Sequence, residues 1–321
     1  MNRDFRQNDW DDLLVSDLDR LLSLAIYEDV SDVGDLTSLS LIPPNTRGVA
    51  FVVVREDSVV AGTGAIQTIL NRVDVGLSWL PDSRWAIRDG VRVAKGTPLG
   101  RIEGPVQSML TAERLVLNLV GRLSGIATLT REYVDAITGT KAKIYDTRKT
   151  TLGWRRLEKY AVRCGGGQNH RTGLFDAILI KDNHLAFGKE NITFSPQNAI
   201  RKAKSYLQSL QQKDKSTTTQ SQSQPQSQTP IIEIEVDTLE QLNDVLCESP
   251  DIVLLDNMPP QQLREAVTLR NKIAPNVELE ASGGIRLTTV KDVAETGVER
   301  ISVGALTHSA TSIDIGLDWH V

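Results

Sequence analysis

The sequence predicts an α/β protein: an incomplete parallel α/β barrel of about six strands, preceded by a mixed α/β sandwich domain. Between residues 142 and 303, short apolar strands alternate with helical segments, which is typical of parallel βα units. A complete barrel of this kind has more strands, so the count indicates an incomplete one. The predicted strands are AKIY (142–145), AILI (177–180), IIEIEV (231–236), IVLL (252–255), VELE (277–280) and RISV (300–303).

Helical periodicity fills the connections between these strands. A longer helical stretch starts at Thr111, with a predicted interruption at Gly125 and an end at Gly139. The other predicted helices of this region are 154–164, 196–211, 238–247, 260–272 and 288–296.

The N-terminal part of the chain has a different pattern. Residues 13–27 place apolar side chains at helical spacing, and short strand signals punctuated by glycines follow. These strand signals lie at 49–54, 85–87, 91–93 and 99–102. We therefore predict an N-terminal domain at 1–112 and a barrel at 113–306, with the tail 307–321 packing back on the first domain.

One segment interrupts the regular alternation. Residues 209–230 are rich in Gln, Ser and Thr and almost lack apolar side chains. Such a segment buries too little apolar surface to offset the entropy of ordering it. It is predicted to be a disordered surface insertion in the barrel domain.

Charge and cysteine content narrow the possible functions. The net charge of −5 argues against a general nucleic-acid binder, whereas residues 146–184 carry eight Lys/Arg against four Asp/Glu. Such a compact basic island in an acidic chain indicates a pocket for a small anion. Only two cysteines are present, in no metal-binding pattern, and no apolar run has membrane-spanning length. We expect a cytoplasmic protein with no nucleic-acid or membrane partner.

Unusual polar or small residues follow every predicted barrel strand. Catalytic groups of parallel barrels collect where strands end at their carboxyl edge. The segments at these ends are Asp146–Thr150, Lys181–His184, Glu235, Asp256–Asn257, Ala281–Gly284 and Gly304–Ala305. Solvation alone does not explain such a recurrence.

These groups also sort by chemistry along the chain. Arg148, Lys149, Arg171 and Lys181, with His170 beside them, suit carboxylates or phosphates. The next two strands deliver carboxylates, Glu235 and Asp256. These suit ribose hydroxyls or a Mg²⁺ ion held through water. The last strands lead into small residues, whose backbone N–H groups can approach a phosphate. The order predicts a ligand such as phosphoribosyl pyrophosphate beside a carboxylated ring.

The segment YDTRKTTLGWRRLEKYAVRCGGGQNHRTGLFDAILIKDNHL (145–185) closely resembles the quinolinate phosphoribosyltransferase family. Further similarity lies in EDVSDVGDLTS, AERLVLN, IEVDTLEQL, LLDNM, ASGGI and ISVGALTHSA. The resemblance implies transfer of phosphoribosyl from its pyrophosphate to quinolinate, with Mg²⁺ and with loss of CO₂, in NAD synthesis. It also implies a homodimer, or an assembly of dimers, with shared active sites.

The resemblance further implies roles for individual residues. Lys149, Lys181, Glu235 and Asp256 would be catalytic, and the two carboxylates would hold Mg²⁺, partly through water. Arg114 would come from the neighbouring subunit. The implied substrate-binding residues are Arg114, Thr147, Arg148, Lys149, His170, Arg171, Lys181, Glu235, Asp256, Ser282, Gly283, Gly284, Val303, Gly304 and Ala305.

Two alternatives remain open from the residues alone, and a third is excluded. Lys181 at a strand end could form a Schiff base in a lyase or aldolase. A binding module that senses a phosphorylated metabolite would keep the cations, but it would have no need of Glu235 and Asp256. A phosphoribosyltransferase of the other common fold needs two adjacent acids after an apolar strand, and IVLLDNMPP has one.

Overall fold

The computed structural model describes residues 4–82, 87–187, 195–217 and 230–320, and only the backbone within 213–217. Two compact units share the chain. The barrel unit consists of Met1–Arg6, Ala136–Arg148 and His170–Val303. The antiparallel unit consists of Gln7–Asp135, Lys149–Asn169 and Gly304–Val321.

Helices and strands alternate through most of the described chain. The helices are α1 (Asp12–Val30), α2 (Leu36–Leu41), α3 (Gly64–Val73), α4 (Val106–Ala136), α5 (Arg155–Cys164), α6 (Asp182–Phe187), α7 (Pro196–Thr217), α8 (Leu239–Leu246), α9 (Pro260–Ile273), α10 (Val290–Ala294) and α11 (Ala305–His308). The strands are β1 (Arg47–Val54), β2 (Ser58–Val59), β3 (Ser78–Pro81), β4 (Arg92–Val93), β5 (Pro98–Pro105), β6 (Lys143–Tyr145), β7 (Ala177–Ile180), β8 (Ile231–Val236), β9 (Ile252–Asp256), β10 (Glu278–Ser282), β11 (Arg300–Ser302) and β12 (Ile315–His320).

The barrel unit contains one six-stranded sheet in the order β6-β11-β10-β9-β8-β7. Every neighbouring pair of its strands is parallel. Within the described ranges, no pairing joins β6 to β7, so the barrel is incomplete. The predicted fold class is confirmed, and each of the six predicted strands is observed within two residues of its predicted ends.

The amino ends of the barrel strands are closed by the start of the chain. Phe5 is buried in one cluster with Ala177, Ile231 and Ile252, the first residues of β7, β8 and β9. Asp4 accepts a hydrogen bond from the guanidinium of the buried Arg300, the first residue of β11, over 3.0 Å. Apolar contact and a buried polar anchor therefore hold this end of the barrel together.

The antiparallel unit is built around a sheet in the order β12-β1-β5-β3, and β2 and β4 form a separate pair. The tail strand β12 pairs antiparallel with β1 along its whole length. Helix α4 lies in the same unit, where the Ser124 hydroxyl accepts from the backbone N–H of Ala61 over 3.0 Å. No helix in the described ranges is both long and apolar enough to span a membrane.

Helix α4 runs without the interruption predicted at Gly125. A Cβ atom at this position would lie 2.0 Å from the carbonyl oxygen of Thr311. Gly121 has a similar neighbour, because its Cβ would lie 2.7 Å from the carbonyl oxygen of Ile313. The prediction was wrong because these glycines allow a close approach of two backbones rather than a break in the helix.

Two boundaries also differ from their predicted places. The compact units place most of α4 and all of 149–169 with the N-terminal sheet, whereas the prediction assigned both to the barrel. Helical periodicity shows that one face is buried but not which sheet buries it. Helix α7 continues to Thr217, so the segment 209–217 of the predicted disordered insertion is helical. The rest of the insertion, 218–229, and most of the predicted strand 85–87 lie outside the described residues.

Candidate active site

The predicted polar residues of the barrel unit lie at one edge of its sheet. Parallel strands bring their carboxyl ends to the same edge, where barrel enzymes place their catalytic groups. Asp256 and Ser282 are register partners at the last positions of β9 and β10. The other predicted residues at this edge are Thr147 and Arg148 after β6, Lys181 after β7, Glu235 near the end of β8 and Val303 after β11.

Lys181 and Glu235 form an ion pair across the ends of β7 and β8. The pairing of Ile180 with Ile234 in these strands places the two side chains side by side. The Glu235 side chain is 17% exposed and that of Lys181 is 40% exposed, so the pair faces solvent at the barrel edge. A cation and an acid are thus available together to an incoming ligand.

Two guanidinium groups of the barrel unit, those of Arg148 and Arg171, act on each other. Arg171 is buried, and its side chain donates to the carbonyl oxygen of Ala177 over 3.3 Å. Burial lowers the pKa of Arg171, and the charge of Arg148 lowers it further, while Glu233 and Asp176 oppose both effects. The Nε atom of Arg148 is buried with no hydrogen-bond partner among the described groups. A buried donor without a partner beside a second cation indicates an anionic ligand.

Glycines leave the backbone accessible after β10, whose end lies beside the end of β9. The Asn257 N–H donates to the carbonyl oxygen of Ser282 over 2.9 Å, and its side-chain amide donates to Asp256 over 2.7 Å. Gly283 and Gly284 both have positive φ, at 95° and 61°. A Cβ at Gly284 would meet nothing within 4 Å. The Gly284 backbone is therefore accessible to a ligand such as a phosphate.

A buried polar cluster lies further inside the barrel, and sequence reasoning did not single out two of its three members. His170, Glu233 and Glu280 are all buried, and their ligand-type atoms lie within 4.8 Å of one another. The Nε2 atom of His170 is 3.0 Å from Glu233 and 3.4 Å from Glu280. Burial alone would raise the pKa of Glu233, but His170, Arg300 and Arg171 together hold it below its ordinary value.

The signal for these missed residues was present in the strand patterns. Glu233 and Glu235 are two apart in β8 and therefore share one face of the sheet, as Glu278 and Glu280 do in β10. An acid in the middle of an otherwise apolar strand is costly unless it is paired. Neither acid lies at the observed end of its strand, because β8 continues to Val236 and β10 continues to Ser282, two residues beyond its predicted end.

The remaining predicted residues belong to the antiparallel unit. Arg114 is exposed on α4. Lys149 is also exposed, and a Cβ on Gly304 would lie 3.1 Å from its side chain. The Thr307 hydroxyl donates to the Lys149 carbonyl oxygen over 2.8 Å. Gly304 and Ala305 stand at the start of the short helix α11. The structure thus places the Lys149 side chain against Gly304.

An incomplete parallel barrel with cations, two acids and open glycines after its strands is typical of an α/β-barrel enzyme. The chain belongs to the quinolinate phosphoribosyl transferase family. The profile of the family's N-terminal domain matches residues 35–124, and that of its C-terminal domain matches 126–214 and 212–318.

Known proteins resemble the chain over nearly its whole length. It is 42% identical over 294 residues to nicotinate-nucleotide pyrophosphorylase (carboxylating) of Mycobacterium leprae, covering 92% of this chain and 94% of that one. Quinolinate phosphoribosyltransferase (decarboxylating) 1b of Nicotiana tabacum is 37% identical over 316 residues, covering 94% of this chain and 82% of that one. The solved structure of the nicotinate-nucleotide pyrophosphorylase from Francisella tularensis has a TM-score of 0.81 and 33% identity, covering 99% and 100% of the two chains.

Proposed function

We propose that this chain transfers the phosphoribosyl group of phosphoribosyl pyrophosphate to quinolinate, with decarboxylation. The products are nicotinate mononucleotide, pyrophosphate and CO₂, in de novo NAD synthesis. The observation that carries the proposal is the convergence of Arg148 and Arg171, with a buried guanidinium donor left unpaired. Membership of the family and the names of the relatives support the same reaction.

The cations would hold the acceptor. Arg148, Arg171 and Lys181 would bind the two carboxylates of quinolinate, with His170 beside Arg171. Guanidinium forks hold carboxylates through paired hydrogen bonds, so they also fix the orientation of the ring. A fixed ring places its nitrogen for attack at C1 of the sugar, and such positioning removes much of the entropic part of the barrier.

The acids and glycines would hold the phosphoribosyl donor. Glu235 and Asp256 are carboxylates on neighbouring strands, so their chemistry fits ribose hydroxyls and a Mg²⁺ ion held partly through water. That ion would neutralise charge on the departing pyrophosphate. Lys149 would add a second positive charge there. The 5′-phosphate would be bound by Thr147, Ser282, Gly283, Gly284, Val303, Gly304 and Ala305.

Bond changes then follow from the chemistry of the substrates. The bond from C1 to pyrophosphate breaks as the ring nitrogen bonds to C1. The ring becomes cationic and accepts the electron pair released when the adjacent carboxylate leaves as CO₂. The ring carbon then takes up a proton. Arg148 and Arg171 also contact the acceptor throughout these steps and exclude water from it.

The proposal extends to assembly and location. Arg114 would reach the site of a partner subunit, so a homodimer, or an assembly of dimers, would carry composite active sites. The exposed position of Arg114 on α4 is compatible with such a role. The protein would act in the cytoplasm, which agrees with its cysteine content.

One assay tests this function. The protein is incubated with quinolinate, phosphoribosyl pyrophosphate and Mg²⁺, and nicotinate mononucleotide and released CO₂ are quantified. Replacing quinolinate by nicotinate should lower kcat/KM by a factor corresponding to about 2–5 kcal/mol, because part of the converging positive charge stays unpaired. Equal use of the two acids would contradict the proposed acceptor. A covalent adduct on Lys181 after borohydride treatment with a carbonyl substrate would instead support a Schiff-base lyase.

A further inference from the structure

A buried ion pair in the antiparallel unit lies outside the set of residues proposed to bind substrate. It joins Nη2 of Arg122, on α4, to Oε1 of Glu158, on α5, over 3.0 Å. The Glu158 side chain has no measurable exposure, and that of Arg122 is 22% exposed. A buried ion pair contributes little net stability, because desolvation offsets the attraction. The further partners of the pair are therefore the better guide to its role.

Glu158 anchors the loop that carries Lys149. Its Oε2 atom accepts from the backbone N–H of Thr151 over 3.1 Å, and its Oε1 atom accepts from the Thr151 hydroxyl over 2.8 Å. Residues 149–151 lie in the connection between β6 and α5, so their course depends on such anchors rather than on a regular backbone ladder. The carboxylate thus fixes the loop two residues after Lys149.

Arg122 anchors the short helix that follows Gly304. Its Nη1 atom donates to the carbonyl oxygen of Ala310 over 2.6 Å, and its Nη2 atom donates to that of Thr307. Thr307 lies in α11, and Ala310 lies two residues beyond the end of that helix. A planar guanidinium holds its donors in a fixed fork, so one group can bond Glu158 and both carbonyl oxygens at once.

The anchored loop and the anchored helix also bond to each other. The hydroxyl of the fully buried Thr307 donates to the carbonyl oxygen of Lys149 over 2.8 Å and lies 3.2 Å from that of Gly304. These bonds and the chain between them form a closed ring through Lys149, Thr307, Arg122, Glu158 and Thr151. Loss of any one link therefore loosens the position of Lys149 against Gly304.

A purely structural role for the ion pair is the alternative. Such a role would predict bonds to the core elements of the unit. Within the described part of the chain, however, the two side chains bond, apart from each other, to Thr151, Thr307 and Ala310. These residues follow Lys149 and Gly304 closely in the sequence. The partners therefore favour a role in positioning those two segments.

We propose that Glu158 and Arg122 are positioning residues for Lys149, and that they thereby set the affinity for the phosphoribosyl donor. The inference rests on the proposed function, which assigns Lys149 to the departing pyrophosphate and Gly304 to the 5′-phosphate. The ring of hydrogen bonds itself does not depend on which substrates are used.

The two substrates should respond differently to loss of the ring. Arg171 and Lys181, which would hold the acceptor, belong to the barrel unit and are not members of the ring. Binding of the phosphoribosyl donor should therefore depend on the ring far more than binding of quinolinate does.

Thr307→Val removes the hydroxyl that closes the ring and keeps the shape of the side chain. It is expected to raise the KM for phosphoribosyl pyrophosphate about fivefold, with the KM for quinolinate changed less than about twofold. Thr307→Ser keeps the hydroxyl and should leave both KM values within about twofold of wild type. Steady-state kinetics with each substrate varied in turn measures these values.

Glu158→Gln tests the ion pair itself. The two oxygens of Glu158 face different donors, and the amide of glutamine offers one oxygen, so one donor loses its partner. The KM for phosphoribosyl pyrophosphate should rise about as much as in Thr307→Val, again with little change for quinolinate. Hydrogen–deuterium exchange of peptides covering 149–153 should become faster in both variants, and this readout needs no substrate.

The matched control is Thr130→Val on α4 of the same unit. Thr130 is fully buried, and its hydroxyl donates to the carbonyl oxygen of Ile126 over 2.7 Å, so a comparable bond is lost outside the ring. Both KM values and the exchange of 149–153 should stay as in wild type. Equal rises of both KM values in Thr307→Val, or the same effects in Thr130→Val, would overturn the positioning role. Unchanged exchange in Glu158→Gln would overturn it as well.

Thr151→Val keeps the comparison decisive if Thr307→Val does not fold. It changes an exposed residue and removes a hydroxyl that is bonded to Glu158, so it should give a smaller rise in the same KM. Absence of quinolinate turnover in the wild-type protein would refute the proposed function. The exchange of 149–153 would still decide whether the ion pair holds the loop of Lys149.

Discussion

The side-chain oxygen of Asn257 occupies the space that a Cβ atom on Gly283 would need, since the two positions lie 2.1 Å apart. Both residues have a positive φ, at 54° and 95°. The turn after β9 and the turn after β10 are thus locked together at the carboxyl edge of the barrel. This contact couples Asp256, on the first turn, to the glycines on the second.

Gly283→Ala is expected to destabilise the protein by at least about 2 kcal/mol, because it combines a clash with an unfavourable φ. The control is Gly284→Ala, where φ is 61° and nothing lies within 4 Å, so only about 1 kcal/mol should be lost. Denaturant unfolding of the two variants measures the difference. Equal losses would show that Asn257 moves aside without cost.

Gly125→Ala tests the approach of α4 to the tail. Alanine in an open helix stabilises by about 1 kcal/mol relative to glycine. Here the added methyl would meet the Thr311 carbonyl oxygen at 2.0 Å, so we expect a clear fall in melting temperature. Glu132→Ala, at an exposed position of the same helix, should change stability by less than about 0.5 kcal/mol. A stabilised Gly125→Ala variant would contradict the packing described for this unit.

The two cysteines should differ strongly in reactivity. Burial, reinforced by the charge of Asp89, raises the pKa of Cys164 to about 12 against the opposing hydrogen bond from Tyr160. Very little thiolate is therefore present at pH 8, and the thiolate is the form that is alkylated. Cys247 is exposed. Iodoacetamide followed by mass spectrometry should label Cys247 alone in the folded protein and both cysteines after denaturation. Labelling of both at equal rates in the folded protein would contradict the raised pKa of the half-buried Cys164.

Composite active sites can be tested by complementation. Arg114→Ala and Lys181→Ala should each be nearly inactive if each residue serves the site. When the two variants are refolded together in equal amounts, half of the dimers are mixed and each mixed dimer rebuilds one intact site. Activity should return to about a quarter of wild type by the symmetry of a two-fold dimer. Mixed dimers confirmed by mass but without recovered activity would place Arg114 in its own subunit's site.

The alternation of the barrel could be read directly from the chain. Strands such as AILI and IVLL are short and wholly apolar because both faces of a parallel sheet are covered. The position of Lys181 and Asp256 at strand ends followed from the same pattern, because parallel strands bring their carboxyl ends to one edge. Their assembly at one edge needed no long-range information beyond the strand order.

Pairings between distant residues could not be read in this way. The contact of His170 with Glu233 joins a loop to the interior of β8, and either partner alone looks like an ordinary polar residue. Gly125 looks like a helix breaker until Thr311 is placed beside it. The uninterrupted course of α4 and the grouping of 149–169 with the N-terminal sheet could not be predicted for the same reason. Both depend on contacts between residues far apart in the chain.

By itself, the sequence determined the class of fold, the order of the strands along the chain and the chemical types at their ends. These follow from local periodicity and from the solvation of polar groups, which act over a few residues. Only the tertiary structure decided which buried acid faces which base, which glycine allows two backbones to meet and which sheet buries a given helix. Those outcomes depend on distances between residues far apart in the chain, set by the packing of whole elements rather than by any one segment.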